Sequence, residues 1–134
     1  MAIFIDSNIF CAYANIADVH NKKTVKIISE IVSNNHGKVI TTDYVFDETV
    51  TVALRRTDKK KAVELGNFIL NSEILIVKVD SIVFQQAWEI FQKNHNFSFT
   101  DCTTIAFMQL FGINKIATFD KEFLKLKNIQ VIDF

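Results

Sequence analysis

Residues 2–8 read Ala2-Ile-Phe-Ile5-Asp6-Ser-Asn8, an apolar run that stops at an acid and continues into residues that favour helix starts. Four apolar residues without in/out alternation suit a strand covered on both faces. Asp, Ser and Asn all cap helices well, so the chain is expected to turn from strand into helix here. The succession repeats along the chain. Val39-Ile40, Ile74-Leu-Ile-Val77, Ile116-Ala117 and Val131-Ile132 read as further strands. Between them lie helix-period segments. Val25, Ile28 and Val32, with Ile27 and Ile31 beside them, mark a helix that Asn34-Asn-His-Gly37 ends. Thr42 or Asp43 caps a helix running to about Arg56. Ala62, Leu65, Phe68 and Ile69 mark a third, stopped near Asn71-Ser72, and Val83, Ala87, Ile90 and Phe91 a fourth. Ser98-Phe-Thr-Asp101 has the capping-box pattern for a helix that closes at Gly112, and Asp120 opens a last short one. Strands alternating with helices predict a mostly parallel sheet in a three-layer α/β/α sandwich.

A chain of 134 residues and 15.4 kDa has room for one domain, taken as residues 1–134. Apolar residues at 49% against 22% charged can bury a core, so disorder is not expected. Fifteen basic residues balance fifteen acidic ones, so no general positive field advertises nucleic acid. The longest apolar runs fall far short of the ~20 residues of a membrane helix. The start of the chain lacks a basic stretch before its apolar run, and Asp6 interrupts that run, so no secretory signal is expected. Two cysteines, Cys11 and Cys102, make neither a disulfide framework nor a four-ligand zinc site. The expectation is a soluble, reduced, cytoplasmic protein with no membrane partner.

In an open parallel sheet, ligands sit beyond the carboxyl ends of the strands. Asp6 ends the first strand, Asp120 follows Ile116-Ala-Thr-Phe119, Asp101 lies in the first turn of a helix, and Glu48 lies one to two turns into the helix after the second strand. All four can point at one edge. Each alone has a plainer explanation: Asp6 and Asp120 as helix caps, Asp101 as part of its capping box, Glu48 as a solvated residue despite sharing a face with Tyr44 and Val52. Together they would repel one another by roughly 3 kcal/mol per pair at ~6 Å and an effective dielectric of 20. A divalent cation removes that cost, and oxygen-only ligation favours Mg²⁺ or Mn²⁺ over zinc. One or two such ions about 3.5–4 Å apart suit phosphodiester hydrolysis. With these four acids assigned to ions, the rest of the chain holds fifteen cations against eleven carboxylates, a net +4 that suits a polyanion. The pattern predicts a metal-dependent nuclease.

Ile3-Phe-Ile-Asp6-Ser-Asn8, Thr42-Asp-Tyr-Val-Phe-Asp-Glu48-Thr, Phe99-Thr-Asp101-Cys-Thr-Thr and Ala117-Thr-Phe-Asp120-Lys-Glu-Phe123 stand in an order that resembles PIN-domain ribonucleases, close to the VapC-type toxins of toxin–antitoxin pairs. The resemblance implies a five-stranded parallel sandwich and endoribonuclease activity on RNA. It implies that Asp6, Glu48, Asp101 and Asp120 are both the catalytic residues and the ligands of one or two Mg²⁺ or Mn²⁺ ions. Ser7, Asn8 and Thr100 would orient those carboxylates. It further implies a homodimer and an antitoxin protein as partner. Glu48 is preferred over the adjacent Asp47 by the same pattern and by the Tyr44–Val52 face.

Arg55, Arg56, Lys59, Lys60 and Lys61 form the one basic cluster; they are either RNA-backbone contacts or a solvated corner. His20, His36 and His95 share no metal spacing and read as surface or loop residues. Cys11 and Cys102 read as small buried hydrophobes, and Phe107, Phe111 and Trp88 as core or dimer surface. A haloacid-dehalogenase-type phosphotransferase needs a second Asp where Asn8 stands. A receiver domain needs paired acids after the first strand, where Asp6-Ser-Asn offers one. The remaining alternatives are an RNA-processing PIN nuclease without an antitoxin and a catalytically silent PIN-fold binding module.

Overall fold

The computed structural model describes residues 1–33 and 36–132. Five strands, β1 (Ala2–Ile5), β2 (Lys38–Thr42), β3 (Leu75–Val77), β4 (Lys115–Ala117) and β5 (Gln130–Val131), pair in the order β3-β2-β1-β4-β5. Every pairing is parallel, with Phe4 opposite Ile40 on one side and Ile116 on the other. β1 is therefore the centre of the sheet, and Ile3, Phe4 and Ile5 are wholly buried. Its unbroken apolarity has this cause: helices cover both faces.

The helices are α1 (Ser7–Ala14), α2 (Asn21–Val32), α3 (Asp43–Arg56), α4 (Lys59–Asn71), α5 (Ser81–Lys93) and α6 (Phe99–Phe111), followed by a 3-10 turn at Lys121–Lys125. Most begin at a side chain that accepts an otherwise orphaned backbone N–H: Asp6, Thr42, Asp58, Asp80 and Ser98 all do so. The Ser98–Asp101 box is complete in both directions, and α6 ends at Gly112 in the left-handed conformation. α5 packs on α6 and α3 on α4, while α1 joins α2 to α3.

One expected stripe is displaced. α2 buries Thr24, Ile27, Ile28 and Ile31, whereas Val25 and Val32 face outward. The segment carries two overlapping apolar stripes, and the one that includes Thr24 turns inward; its hydroxyl is satisfied by the Asn21 carbonyl at 2.7 Å. Phe68 and Phe91 likewise lie at the edges of their helices' buried faces, not at the centres. Of the expected helix stop at 34–37, Asn34 and Asn35 lie outside the described residues; Gly37 adopts φ +80° before β2. The strand order places the topological switch beside β1, where its neighbours β2 and β4 are reached by connections on opposite sides. The carboxyl ends of β1 and β4 therefore flank the crevice where this architecture binds ligands.

Candidate metal centre

Asp6, Glu48, Asp101 and Asp120 all line one cavity of about 260 Å³ at this crevice. Four different places deliver them: the residue after β1, the second turn of α3, the first turn of α6 and the residue that caps the 3-10 turn after β4. Ser7, Asn8, Ser98 and Arg56 complete its polar wall. Asp47, adjacent to Glu48, is exposed.

Each acid is held by neighbours. The Asp6 carboxylate accepts from the Thr118 hydroxyl at 2.7 Å, the Ser7 backbone N–H at 2.8 Å and, at 3.4 Å, the Asn8 amide. The Ser7 hydroxyl donates to Glu48 across to α3. The Ser98 backbone N–H donates to Asp101, and Asp120 accepts the Glu122 N–H at 2.9 Å. Asn8 also accepts the Phe119 N–H, which ties the chain just before Asp120 to the start of α1. The capping explanations for Asp6, Asp101 and Asp120 thus hold as well, since one oxygen can cap while the carboxylate faces the cavity.

Among the described residues, hydrogen bonds bring Ser7 and Asn8 to the carboxylates, whereas Thr100 is engaged only through its carbonyl, by Thr103. The orienting hydroxyl is Thr118, whose oxygen donates to Asp6 while accepting from the Asp120 N–H at 3.1 Å and Asn8 at 3.0 Å. No sequence signal marks Thr118, because its bond to Asp6 exists only once β4 pairs with β1. The basic cluster also divides: Arg56 lines the acidic cavity, Lys59 lines a separate groove between α3 and α4, and Arg55, Lys60 and Lys61 line neither.

The charges strain one another. Burial pushes the Asp6 carboxyl up to about 7, against the Thr118 hydrogen bond, and the charges of Asp101 and Glu48 add to the rise. Asp101 is raised too, first by burial and then by Asp120 and Glu48. Among the described residues, no three His, Cys, Asp or Glu side chains converge closely enough to ligate one ion together. The donor set nonetheless fits a hard divalent cation. It consists of carboxylate oxygens around a shared void, with repulsion to relieve and no competing His. Mg²⁺ keeps several of its own waters and needs only one or two direct carboxylates, so a loosely gathered quartet suits it better than a closed cage would. Burial raises the Cys11 and Cys102 thiols to about 11, which keeps them protonated near neutrality and agrees with their reading as small buried hydrophobes.

Comparison with known proteins agrees with this architecture. The family described as PIN domain matches residues 3–129. A VapC ribonuclease of Archaeoglobus fulgidus is 27% identical over 127 residues, covering 92% of this chain and 80% of that protein. The 23S rRNA-specific endonuclease VapC20 of Mycobacterium tuberculosis is 27% identical over 131 residues, covering 96% and 97%. The crystal structure of M. tuberculosis VapC20, a sarcin–ricin-loop-cleaving toxin, superposes with a TM-score of 0.79 at 25% identity over 90% of this chain and 91% of that one. VapBC2 of Rickettsia felis, solved with promoter DNA, shares the fold with a TM-score of 0.73 at 15% identity over 98% of both chains.

Proposed function

The chain belongs to the PIN-domain family, and we propose that, as one such domain over residues 1–134, it is a divalent-metal-dependent endoribonuclease. The observation that carries the reading is the meeting of Asp6, Glu48, Asp101 and Asp120 around one cavity at the carboxyl edge of the sheet. Those four would hold Mg²⁺ or Mn²⁺. When bound, the metal supplies charge stabilisation at the phosphodiester and lowers the cost of deprotonating the attacking water.

The chain's own residues do the rest. Thr118 and the Ser7 N–H fix Asp6, the Ser7 hydroxyl fixes Glu48, and Ser98 fixes Asp101, so the oxygens are set before substrate arrives. A quartet carboxylate is placed to take the proton from the attacking water, unless hydroxide held by the metal itself serves as the nucleophile. Arg56 stands in the same cavity wall and can meet the phosphate that the acids alone would repel. Arg55, Lys59, Lys60 and Lys61 would extend that contact along the RNA backbone.

The relatives named VapC ribonuclease and 23S rRNA-specific endonuclease support RNA as substrate, and the similar structure titled a sarcin–ricin-loop-cleaving toxin supports a toxin role here, with an antitoxin protein as inhibitor. A homodimer belongs to the same reading; Ile82, Phe84 and Trp88 of α5 and Phe111 of α6 are exposed apolar residues available to such a contact, whereas Phe107 is core. A cytoplasmic location belongs to the same proposal; no helix among the described residues is long and apolar enough to cross a membrane.

The test is cleavage of a structured-RNA pool that includes a 23S rRNA sarcin–ricin-loop fragment. Cutting should require Mg²⁺ or Mn²⁺, stop with chelator, and fall at least 100-fold in Asp101→Asn. Cleavage that persists in chelator, or no cleavage of any RNA offered, would contradict the proposal.

A further inference from the structure

Beside the acidic cavity opens a second one of about 290 Å³, and Asp120 belongs to the walls of both. Across that shared residue the chemistry changes. The first cavity carries four carboxylates; the second is lined by Lys23 and Lys121, His20 and Phe119, and the aliphatic Leu124. Its volume lies just under the ~300–1,000 Å³ of drug-sized ligand sites, which suits one nucleotide.

The rings are placed with care. His20 stands at the start of α2 but caps nothing with its side chain. Instead its ring stacks on Phe119, with centroids 4.2 Å apart and planes within 17°. Phe119 in turn is anchored by the bond from its N–H to Asn8, the residue that also contacts Asp6 and Thr118. The aromatic pair is therefore built on the same hydrogen-bonded frame as the carboxylates. Lys23 lies in the first turn of α2 and Lys121 opens the 3-10 turn, both exposed, so two cations line the cavity from different elements. A surface loop histidine would need neither the stack nor the flanking lysines.

We propose that this second cavity receives the nucleotide next to the scissile phosphate of a single-stranded RNA. The inference rests on the nuclease reading above and deepens it. Lys23 and Lys121 meet the backbone phosphate on the far side of Asp120. The His20–Phe119 pair and Leu124 provide the surface against which the base stacks, the mode by which proteins commonly hold unpaired bases. The arrangement gives the substrate a direction: its strand runs from Arg56, across the quartet, to His20.

The experiment is fluorescence anisotropy of an end-labelled, mixed-sequence 12-nucleotide RNA, with Ca²⁺ replacing Mg²⁺, titrated at several salt concentrations. Lys23→Gln/Lys121→Gln should weaken binding about tenfold and reduce the log–log salt slope by about 1.4, the loss of two single-strand phosphate contacts. Lys22→Gln/Lys26→Gln, the same charge change on the same helix but outside the cavity, should move neither much. His20→Ala should weaken binding about tenfold with the salt slope unchanged, and His20→Phe, which keeps the stacking surface, should restore it. If the Lys23/Lys121 pair behaves like the control pair while the wild type binds, the subsite is wrong and the nuclease reading survives. If the wild type does not bind RNA at all, both fall.

Discussion

Thr118 shows what a single hydroxyl can hold together. It is buried and uses its proton and both lone pairs, linking Asp6 just after β1, Asn8 on α1 and the backbone of Asp120. Thr118→Val keeps the shape and removes all three bonds, so RNA cleavage should fall 10–100-fold, the usual cost of losing a group that orients a metal ligand. Thr118→Ser should recover most of the rate. A second residue-scale consequence concerns pH. Asp6 rises from 3.8 to about 7 on folding, so between those values the native state holds a proton that the unfolded chain has released. The stability this proton carries is present at acid pH and lost as pH climbs to about 7. Asp101, also raised, acts in the same direction. In chelator, the melting temperature should be higher at pH 5.5 than at pH 7.5, and the difference should shrink in Asp6→Asn; a rise with pH would contradict it. Asp6, Asp101 and Asp120 could be found in the sequence because each follows a strand or opens a helix, and Glu48 because it shares a helical face with Tyr44 and Val52. Thr118 could not, since it meets Asp6 across a separation of 112 residues.

At the scale of elements, caps were the readable signals and buried faces the less readable ones. Ser98, Asp101 and Gly112 delimit α6 where their types predict. The α2 stripe differs because five apolar residues crowd onto two adjoining faces, and only packing against the sheet decides between them. The loops that join these elements contain two glycines with positive φ, which make opposite demands. Gly112, at φ +68°, has nothing within 4 Å of where a Cβ would stand. Gly112→Ala should therefore cost only the left-handed conformation, about 1–2 kcal/mol. Gly37, at φ +80°, would drive a Cβ into the Met1 carbonyl, the group that accepts the Lys38 N–H at the start of β2. Gly37→Ala should lower the thermal midpoint at least twice as far as Gly112→Ala; equal losses would show that the β1–β2 edge can yield.

For the whole molecule, the sheet order is what turns four scattered acids into one site. Residues 6, 48, 101 and 120 converge because β1 is central and β2 and β4 flank it, so the carboxyl ends and the helices they start open on the same crevice. Alternation of strands and helices made the layered class legible. It could not reveal the second cavity, whose lining joins α2 to the segment after β4. A protein of zero net charge thereby places four of its fifteen acids around one cavity and leaves a net +4 elsewhere, a distribution that supports the proposed cation and polyanion. The most direct measurement is Mn²⁺ binding followed by the electron paramagnetic resonance signal of the free ion, in the wild type and in Asp6→Asn/Asp101→Asn. Stoichiometric binding of one or two ions by the wild type, lost in the double variant with the fold intact, is the result predicted. Equal uptake by both proteins, or none by the wild type, would contradict the claim that this quartet is a metal centre.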